Sequence, residues 1–355
     1  MVQVAVQDYG YGNARIRAMR QRLLDNNFYE SLVELDDFDR MVQTLQQTPY
    51  KDAVQESVLR RSGAAAIDEA LKINLTRTFR RVLSFLSPQG QTLLQTLLGR
   101  WDIHNIKTIL RGIHMSISTE EITDSLLPAG QLEEIELGEL AKQQDVKGCI
   151  DLLATWGISY ARPLTKEVPA YMETEDLSVL ELALDKYYFA YSLRRIREMG
   201  ANGALVKDIL QTQIDIVNML TLLRLQKSKQ PEEEVMRLYI PWGKEIRLER
   251  FLELAQKEDV DDMVDGLLDT SYGKILEGAM MKYVEVGSLA ALERALENYF
   301  VQKGAGMSKG DPLGVGIVIG YIWAKHNEIV NLRIIVKGRT VGMPEKRIRE
   351  ELIFV

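Results

Sequence analysis

The sequence predicts an all-α protein made of three pseudo-equivalent helical repeats of about 113 residues. The first observation is a motif that returns at a fixed offset: an acid, an asparagine three residues later and a base six residues beyond it. The second is a helical spacing of the apolar residues around that motif. The motif occurs at Asp102, Asn105 and Arg111, at Asp215, Asn218 and Arg224, and at Glu328, Asn331 and Lys337.

Apolar residues around the motif form a stripe along one side of a helix. Ile103, Ile106 and Leu110 are spaced by three and four residues, which places them on one face. The alternation typical of a β-strand is absent, so each repeat is expected to be helical. The stripe returns at Ile216, Met219 and Leu223, and at Ile329, Leu332 and Val336.

Further landmarks extend the repeat over most of the chain. Upstream, residues 67–71, 180–184 and 292–296 match, the last with a one-residue gap. We therefore predict three domains at residues 1–117, 118–230 and 231–355, the last ending in a closing helix over 344–354. Downstream, acid-rich turns are expected at Ser118, Pro231 and Pro344, leading to Ile122, Val235 and Ile348, and turns at Pro128 with Gly130 and Pro241 with Gly243.

Other long segments rich in Leu, Ala, Glu, Lys and Arg are also predicted to be helical. The glycine-rich residues 303–314 are expected to form a flexible loop. The predicted helices cover residues 30–47, 65–86, 177–199 and 248–268. The predicted breaks lie near Ser87 and Pro88 and at residues 127–130, 200–203, 228–231, 240–243 and 303–314.

Composition excludes several classes of protein. The net charge of −7 argues against a nucleic-acid partner, since phosphate binding depends on clustered Lys and Arg. Cys149 is the single cysteine and cannot form an internal disulfide. The first ten residues lack the pattern of a secretory signal. The apolar residues 313–324 are too few for a membrane span, so none is expected.

The sequence carries no motif for catalysis, for a metal or for a cofactor. Its histidines, His104, His114 and His326, form no metal-binding pattern. Gly304, Gly306 and Gly310 lack the spacing and the preceding strand of a phosphate-binding loop, so direct nucleotide binding is not expected. We therefore predict a protein that is not an enzyme.

The repeated asparagine admits two interpretations. Asn105 lies away from the apolar stripe and beside Asp102, so the helix has an apolar face and a polar face. The polar pair either hydrogen-bonds a neighbouring helix or turn of the same chain, or belongs to three polar faces that grip a partner on an axis. Three units in sequence either stack as an open solenoid or close as a ring, and the residues leave both possibilities open.

Two stretches stand out, residues 9–19, YGYGNARIRAM, and residues 320–339, GYIWAKHNEIVNLRIIVKGR. They resemble the C subunit of archaeal and bacterial vacuolar-type (A-type) rotary ATPases, a family similar to the d subunit of eukaryotic vacuolar ATPases. The ending at 344–352, PEKRIREEL, is similar to the last helix of that family. The resemblance implies three helical domains that form a funnel or socket around a pseudo-threefold axis.

The same resemblance implies a rotor spacer without catalytic activity. One copy per complex would link the membrane ring of proteolipid subunits to the central-shaft subunits, on the cytoplasmic face of the membrane. Such a part transmits torque and itself binds no ATP. The candidate partner contacts are Asn105, Arg111, Asn218, Arg224, Asn331 and Lys337, together with Tyr9, Tyr11, Arg15 and Arg17, whose aromatic and basic groups suit a membrane boundary. The alternative is structural: Arg15 and Arg17 point to different sides of a helix, so at least one of them forms a local salt bridge.

Two other functions compete with this one. A cytosolic helical-repeat scaffold would bind a peptide or protein on a concave face. An enzyme of unrecognised type would use residues 303–314 as a lid.

Overall fold

The computed structural model describes residues 9–226 and 230–355, and within them every regular element is a helix. The first part contains α1 (Gly10–Arg20), α2 (Asn26–Val33), α3 (Phe38–Leu45), α4 (Lys51–Ser57), α5 (Gly63–Ser84), α6 (Pro88–His114), α7 (Thr119–Ser125), α8 (Glu134–Ala141), α9 (Val146–Thr155) and α10 (Ala161–Thr174). The remainder contains α11 (Ser178–Arg195), α12 (Gly200–Leu225), α13 (Glu232–Leu238), α14 (Leu248–Ala255), α15 (Val260–Asp265), α16 (Gly273–Val286), α17 (Ala290–Gly306), α18 (Gly316–Thr340) and α19 (Glu345–Glu351). The all-α prediction is confirmed.

The described residues form two compact units. One combines the described residues up to Leu94 with Val301–Val355, and the other is Gln95–Phe300. The boundaries between them fall inside α6 and α17. This division follows spatial contacts, whereas the three predicted domains follow the repeat in the sequence. The boundaries of those three domains stay a prediction.

The three copies of the motif lie on the three longest helices of the described chain, α6, α12 and α18. Pro88 begins α6, where its fixed φ and missing N–H cost nothing. The predicted stripe is buried: Ile106 and Leu110 of α6 and Met219 of α12 are fully enclosed. Burying each such side chain stabilises the fold by about 1.5–3 kcal/mol. The core therefore runs along these helices.

A short helix and an extended segment follow each long helix. The side chain of Ser118 caps α7 by accepting a hydrogen bond from the N–H of Glu121. Pro231 and Pro344 occupy the equivalent position before α13 and α19. The apolar residues Ile122, Val235 and Ile348 anchor the three short helices by burial.

Two predicted helices are each broken in two, so those predictions are wrong in detail. Residues 30–47 span the end of α2 and all of α3, and residues 248–268 contain α14 and α15. In both breaks an aspartate caps the second helix, because Asp37 accepts from the N–H of Asp39 and Asp259 accepts from that of Asp262. A carboxylate that binds its own backbone in this way favours a helix start over a helix interior.

Three other predictions need correction. The break predicted at 200–203 lies earlier, at residues 196–199, and α12 already begins at Gly200, whose φ is +58°. Residues 303–314 are largely ordered, since α17 continues to Gly306 and Met307–Lys309 form a 3₁₀ turn. The closing helix is shorter than predicted, α19 ending at Glu351. Of the break at 228–231, residues 228 and 229 lie outside the described residues.

The helices of the described chain are too short or too polar to span a lipid bilayer.

Candidate functional site

Each repeated asparagine exchanges two hydrogen bonds with one backbone residue 22 positions later. The amide nitrogen donates to that residue's carbonyl, and the amide oxygen accepts from its N–H, at distances from 2.7 to 3.0 Å. All three asparagines are fully buried, so their amides face the chain itself and offer no surface to a partner in this structure. Of the two interpretations of the polar face, the asparagines follow the first, in which they hydrogen-bond the same chain. The pairs are Asn105 with Leu127, Asn218 with Ile240, and Asn331 with Ile353.

The acid of the first copy, Asp102, holds the loop after α7. Its two carboxylate oxygens accept from the N–H groups of Gln131 and Leu132, both at 2.9 Å. The carboxylate is completely buried, and this desolvation raises the pKa of Asp102 to about 6 even though the two backbone hydrogen bonds lower it. Asp102 is therefore a titratable group inside the core.

The acid of the second copy, Asp215, makes the two equivalent contacts and two more. It accepts from the N–H groups of Lys244, Glu245 and Ile246 at 2.9–3.1 Å, and from the hydroxyl of Tyr272 at 2.9 Å. Burial raises the pKa of Asp215, and these hydrogen bonds oppose the shift. The second loop is thus fastened to α12 as the first is to α6.

The acid of the third copy, Glu328, binds residues near the start of the chain. Its carboxylate accepts from the N–H of Leu24, the hydroxyl of Tyr50 and the ammonium of Lys325, each at 2.6 Å. Lys325 also lies over the Tyr50 ring, 4.2 Å from its centroid. The Lys325–Glu328 ion pair is nearly inaccessible to solvent, and burial lowers the pKa of Lys325 while Glu328 opposes that shift. The third acid therefore fastens α18 to the N-terminal helices.

Two bases of the motif form ion pairs with the acids of the upstream landmark. The guanidinium of Arg111 donates to both carboxylate oxygens of Glu181 at 2.5 Å, and that of Arg224 donates to Glu293 at 3.2 Å. Both arginine side chains remain more than half exposed, so they stay available as partner contacts. Lys337 is exposed as well. The partner role of these three residues remains a prediction.

The third ion pair of this kind uses a residue that sequence reasoning missed. Arg333, four residues before Lys337, binds Asp68 at 2.7 Å. Asp68 occupies the same place in residues 67–71 as Glu181 does in 180–184 and Glu293 in 292–296. The shared acid at the second position of this landmark is the sequence signal that could have predicted the ion pair.

The N-terminal candidates have different environments. Tyr9 is buried, so it offers no surface to a membrane boundary in this structure, whereas Tyr11 is 65% exposed. Arg15 donates to the Tyr11 hydroxyl at 2.7 Å and lies over the Phe85 ring. Arg17 donates to the carbonyl of Pro312 at 3.1 Å. Among these four residues, Tyr11 is the most exposed aromatic group.

Asn13, which sequence reasoning passed over, fastens the glycine-rich segment. Its buried amide nitrogen donates to the carbonyls of Pro312 and Gly314 at 3.2 and 3.1 Å. Arg20 adds a hydrogen bond to the Ser308 hydroxyl. The prediction of a flexible loop at 303–314 is wrong because side chains of α1 hold its backbone. Asn13 lies within the stretch 9–19, in which the sequence predicts partner contacts only for the aromatic and basic residues.

Exposed apolar side chains lie near several of the helix ends that these polar contacts join. His114 Nδ1 lies 2.9 Å from the Tyr171 hydroxyl, which brings the end of α6 beside the end of α10, where Met115 and Met172 are largely exposed. At the ends of the other two long helices, a base pairs with an acid near the start of another helix. Arg224 of α12 pairs with Glu293 of α17, and Arg333 of α18 pairs with Asp68 of α5. The exposed residues next to those ends are Met281, Val284 and Val286 before α17, Leu59 before α5 and Val341 after α18.

Comparisons with known proteins agree over nearly the whole chain. The family model described as ATP synthase (C/AC39) subunit matches residues 12–351. The A-type ATP synthase C subunit of Methanocaldococcus jannaschii is 30% identical over 345 residues, covering 97% of this chain and 86% of that protein. The C subunit of Methanobrevibacter smithii is 31% identical, with 96% and 87% covered, and that of Methanococcoides burtonii is 31% identical, with 98% and 94% covered.

Proposed function

Because the chain belongs to the ATP synthase C/AC39 subunit family, we propose that it is the A-type ATP synthase subunit that joins the proteolipid rotor ring to the central shaft. In this role it transmits torque, binds no ATP and catalyses no reaction. It sits at the cytoplasmic face of the membrane as a peripheral subunit, one copy per complex. The observation that carries the proposal is the match of family and relatives along the full length of the chain.

A closed socket is supported by the order of the ion pairs along the chain. The base of the first copy pairs with the landmark acid of the second, Arg111 with Glu181, and the second pairs with the third, Arg224 with Glu293. The third copy pairs with the first, because Arg333 forms an ion pair with Asp68. A linear array would leave its last copy without such a partner, whereas this order is cyclic. We infer a pseudo-threefold socket in preference to an open solenoid.

Torque transmission is supported by how the loops are held. A rotor part must not yield when one end is driven against the other, and close-packed interiors deform little. The loops after α7 and α13 are each fastened to a long helix by a buried carboxylate and a buried amide. Backbone that is hydrogen-bonded in this way resists local opening.

The ring-facing surface is proposed to lie on the unit Gln95–Phe300, where Met172 and Met281 are exposed. Solvent-exposed methionine side chains favour a partner that removes them from water. The exposed guanidinium groups of Arg111 and Arg224 in the same unit suit an anionic lipid surface around the ring.

Native mass spectrometry with the detergent-solubilised ring and the shaft subunits tests the proposal. One copy bridging ring and shaft is expected. A variant with Met172→Glu and Met281→Glu should lose the ring and keep the shaft, while a control with the exposed Lys142→Glu and Lys147→Glu should bind both. Loss of the shaft alone would assign this surface to the shaft. Binding of neither partner by the wild-type chain would reject the rotor role and favour the helical-repeat scaffold.

A further inference from the structure

A cavity in the unit that contains the N-terminal helices is lined by an unusual number of cations. Its volume is about 400 Å³, and its walls come from the end of α1, the turn before α4, α5 and α18. Asp52 is the only carboxylate among its lining residues. The basic residues that line it are Arg22, Lys51, Arg77, Arg81 and Lys325.

Two of these cations are already neutralised by the chain. Lys325 pairs with Glu328 at 2.6 Å, and Arg77 pairs with Glu56 at 2.5 Å. Within the described chain, Arg22, Lys51 and Arg81 have no carboxylate oxygen within 4.0 Å. Asp52 carries one negative charge, so these three cations leave an excess of two positive charges around the cavity.

This excess is notable in a protein whose net charge is −7. Like charges that share one concave surface repel one another, and the concavity concentrates their field on any anion inside. An anion of two negative charges would balance the excess. Arginine supplies a planar fork of donors that matches phosphate oxygens, so Arg22 and Arg81 suit that ligand better than a simple halide.

A second, independent observation concerns Asn74, which lines the same cavity. Its amide nitrogen donates to the carbonyl of Pro49 at 3.0 Å, but its Oδ1 atom is buried and accepts no hydrogen bond from the described residues. A buried acceptor without a donor destabilises the folded state. A rotation of the amide toward the cavity would let a ligand hydroxyl next to the phosphate supply that donor.

We propose that this cavity binds a phosphate monoester dianion that carries a neighbouring hydroxyl group. Arg22, Lys51 and Arg81 hold the phosphate, and Asn74 accepts from the hydroxyl. The volume exceeds that of bare phosphate and lies within the range of small-ligand sites. The monoester comes either from a soluble polyol phosphate or from a phospholipid headgroup. The proposal does not depend on the rotor role.

Isothermal titration of the full chain with glycerol 3-phosphate tests the site. Saturable binding of one equivalent is expected, weakening as salt is raised because screening acts on all three cations. The variant Arg22→Gln with Arg81→Gln should lose at least about tenfold in affinity, equivalent to about 1.4 kcal/mol. Arg40→Gln, an exposed arginine of the same unit outside the cavity, is the matched control and should bind like wild type.

Further experiments distinguish a soluble polyol phosphate from a phospholipid headgroup and test the role of the hydroxyl. Asn74→Leu should abolish the preference for glycerol 3-phosphate over inorganic phosphate. Co-sedimentation with vesicles containing lysophosphatidic acid, a phosphate monoester that keeps a free glycerol hydroxyl, beyond that with equally charged phosphatidylglycerol vesicles, and competition by glycerol 3-phosphate would assign a lipid headgroup. Soluble binding alone would assign a free metabolite. The proposal is overturned if neither probe binds, or if the double variant binds like wild type while its melting temperature shows that it is folded.

Discussion

Gly243 lies directly against the carboxylate of Asp215: a Cβ atom on Gly243 would stand 2.2 Å from Oδ1. Gly130 has the same relation to Asp102, at 2.1 Å. Neither glycine has a positive φ, so it is the lack of a side chain that matters here. The loop must wrap closely enough for its N–H groups to reach a buried carboxylate, and a methyl group at this position would break those hydrogen bonds.

Gly243→Ala should therefore destabilise the chain by about 3 kcal/mol, through overpacking and lost hydrogen bonds to Asp215. Urea denaturation followed by circular dichroism measures the change. Gly138→Ala is the matched control, because a Cβ on Gly138, inside α8, meets no atom within 4 Å. The control should be neutral or stabilising by up to about 1 kcal/mol. Equal effects of the two substitutions would contradict this account of the loop.

Asn218→Ala should cost about 2–4 kcal/mol, because it leaves both the N–H and the carbonyl of Ile240 buried without a partner. The same denaturation measurement applies. Asn26→Ala, at an exposed asparagine of α2, serves as the comparison and should change the free energy of unfolding by less than about 1 kcal/mol. If Asn218→Ala were as mild as Asn26→Ala, the amide would not be fastening the loop.

Lys325→Met should destabilise the chain by about 3–5 kcal/mol, since it leaves the Glu328 carboxylate buried without its cation. Adding Glu328→Gln to that variant removes the unpaired charge and should restore part of the loss. The free energies of unfolding of the wild type, the two single variants and the double variant form a cycle that measures the coupling. Additive losses would show that the two groups do not depend on each other.

Asp102 should make stability depend on pH. Burial raises its folded pKa to about 6, above the ordinary 3.8, so the folded state binds more protons than the unfolded chain between those values. The free energy of unfolding therefore falls as pH rises through that interval, by up to about 1.4 kcal/mol per pH unit for this one group. Asp102→Asn removes the dependence, so the difference between wild type and variant isolates it. A difference that is constant from about pH 4 to about pH 6 would contradict the raised pKa.

The sequence alone identified the elements that local chemistry specifies. The stripe of Ile103, Ile106 and Leu110 predicts a helix because apolar residues at spacings of three and four can only share a face in that conformation. The fixed offset of the motif singles out Asn105, Asn218 and Asn331, each of which fastens an extended segment that follows a short helix. Family membership was also readable, since it depends on the order of residues alone.

Only the tertiary structure decided what the polar residues bind. Asn331 and Ile353 are separated by 22 residues, and Arg333 and Asp68 by 265, distances over which no local propensity acts. Whether Asn13 or Tyr9 faces solvent or core depends on which distant segment covers it, here residues 312–314 for Asn13. A sequence pattern specifies which face of a helix is apolar, but the partner of each buried polar group is set by the packing of the whole chain.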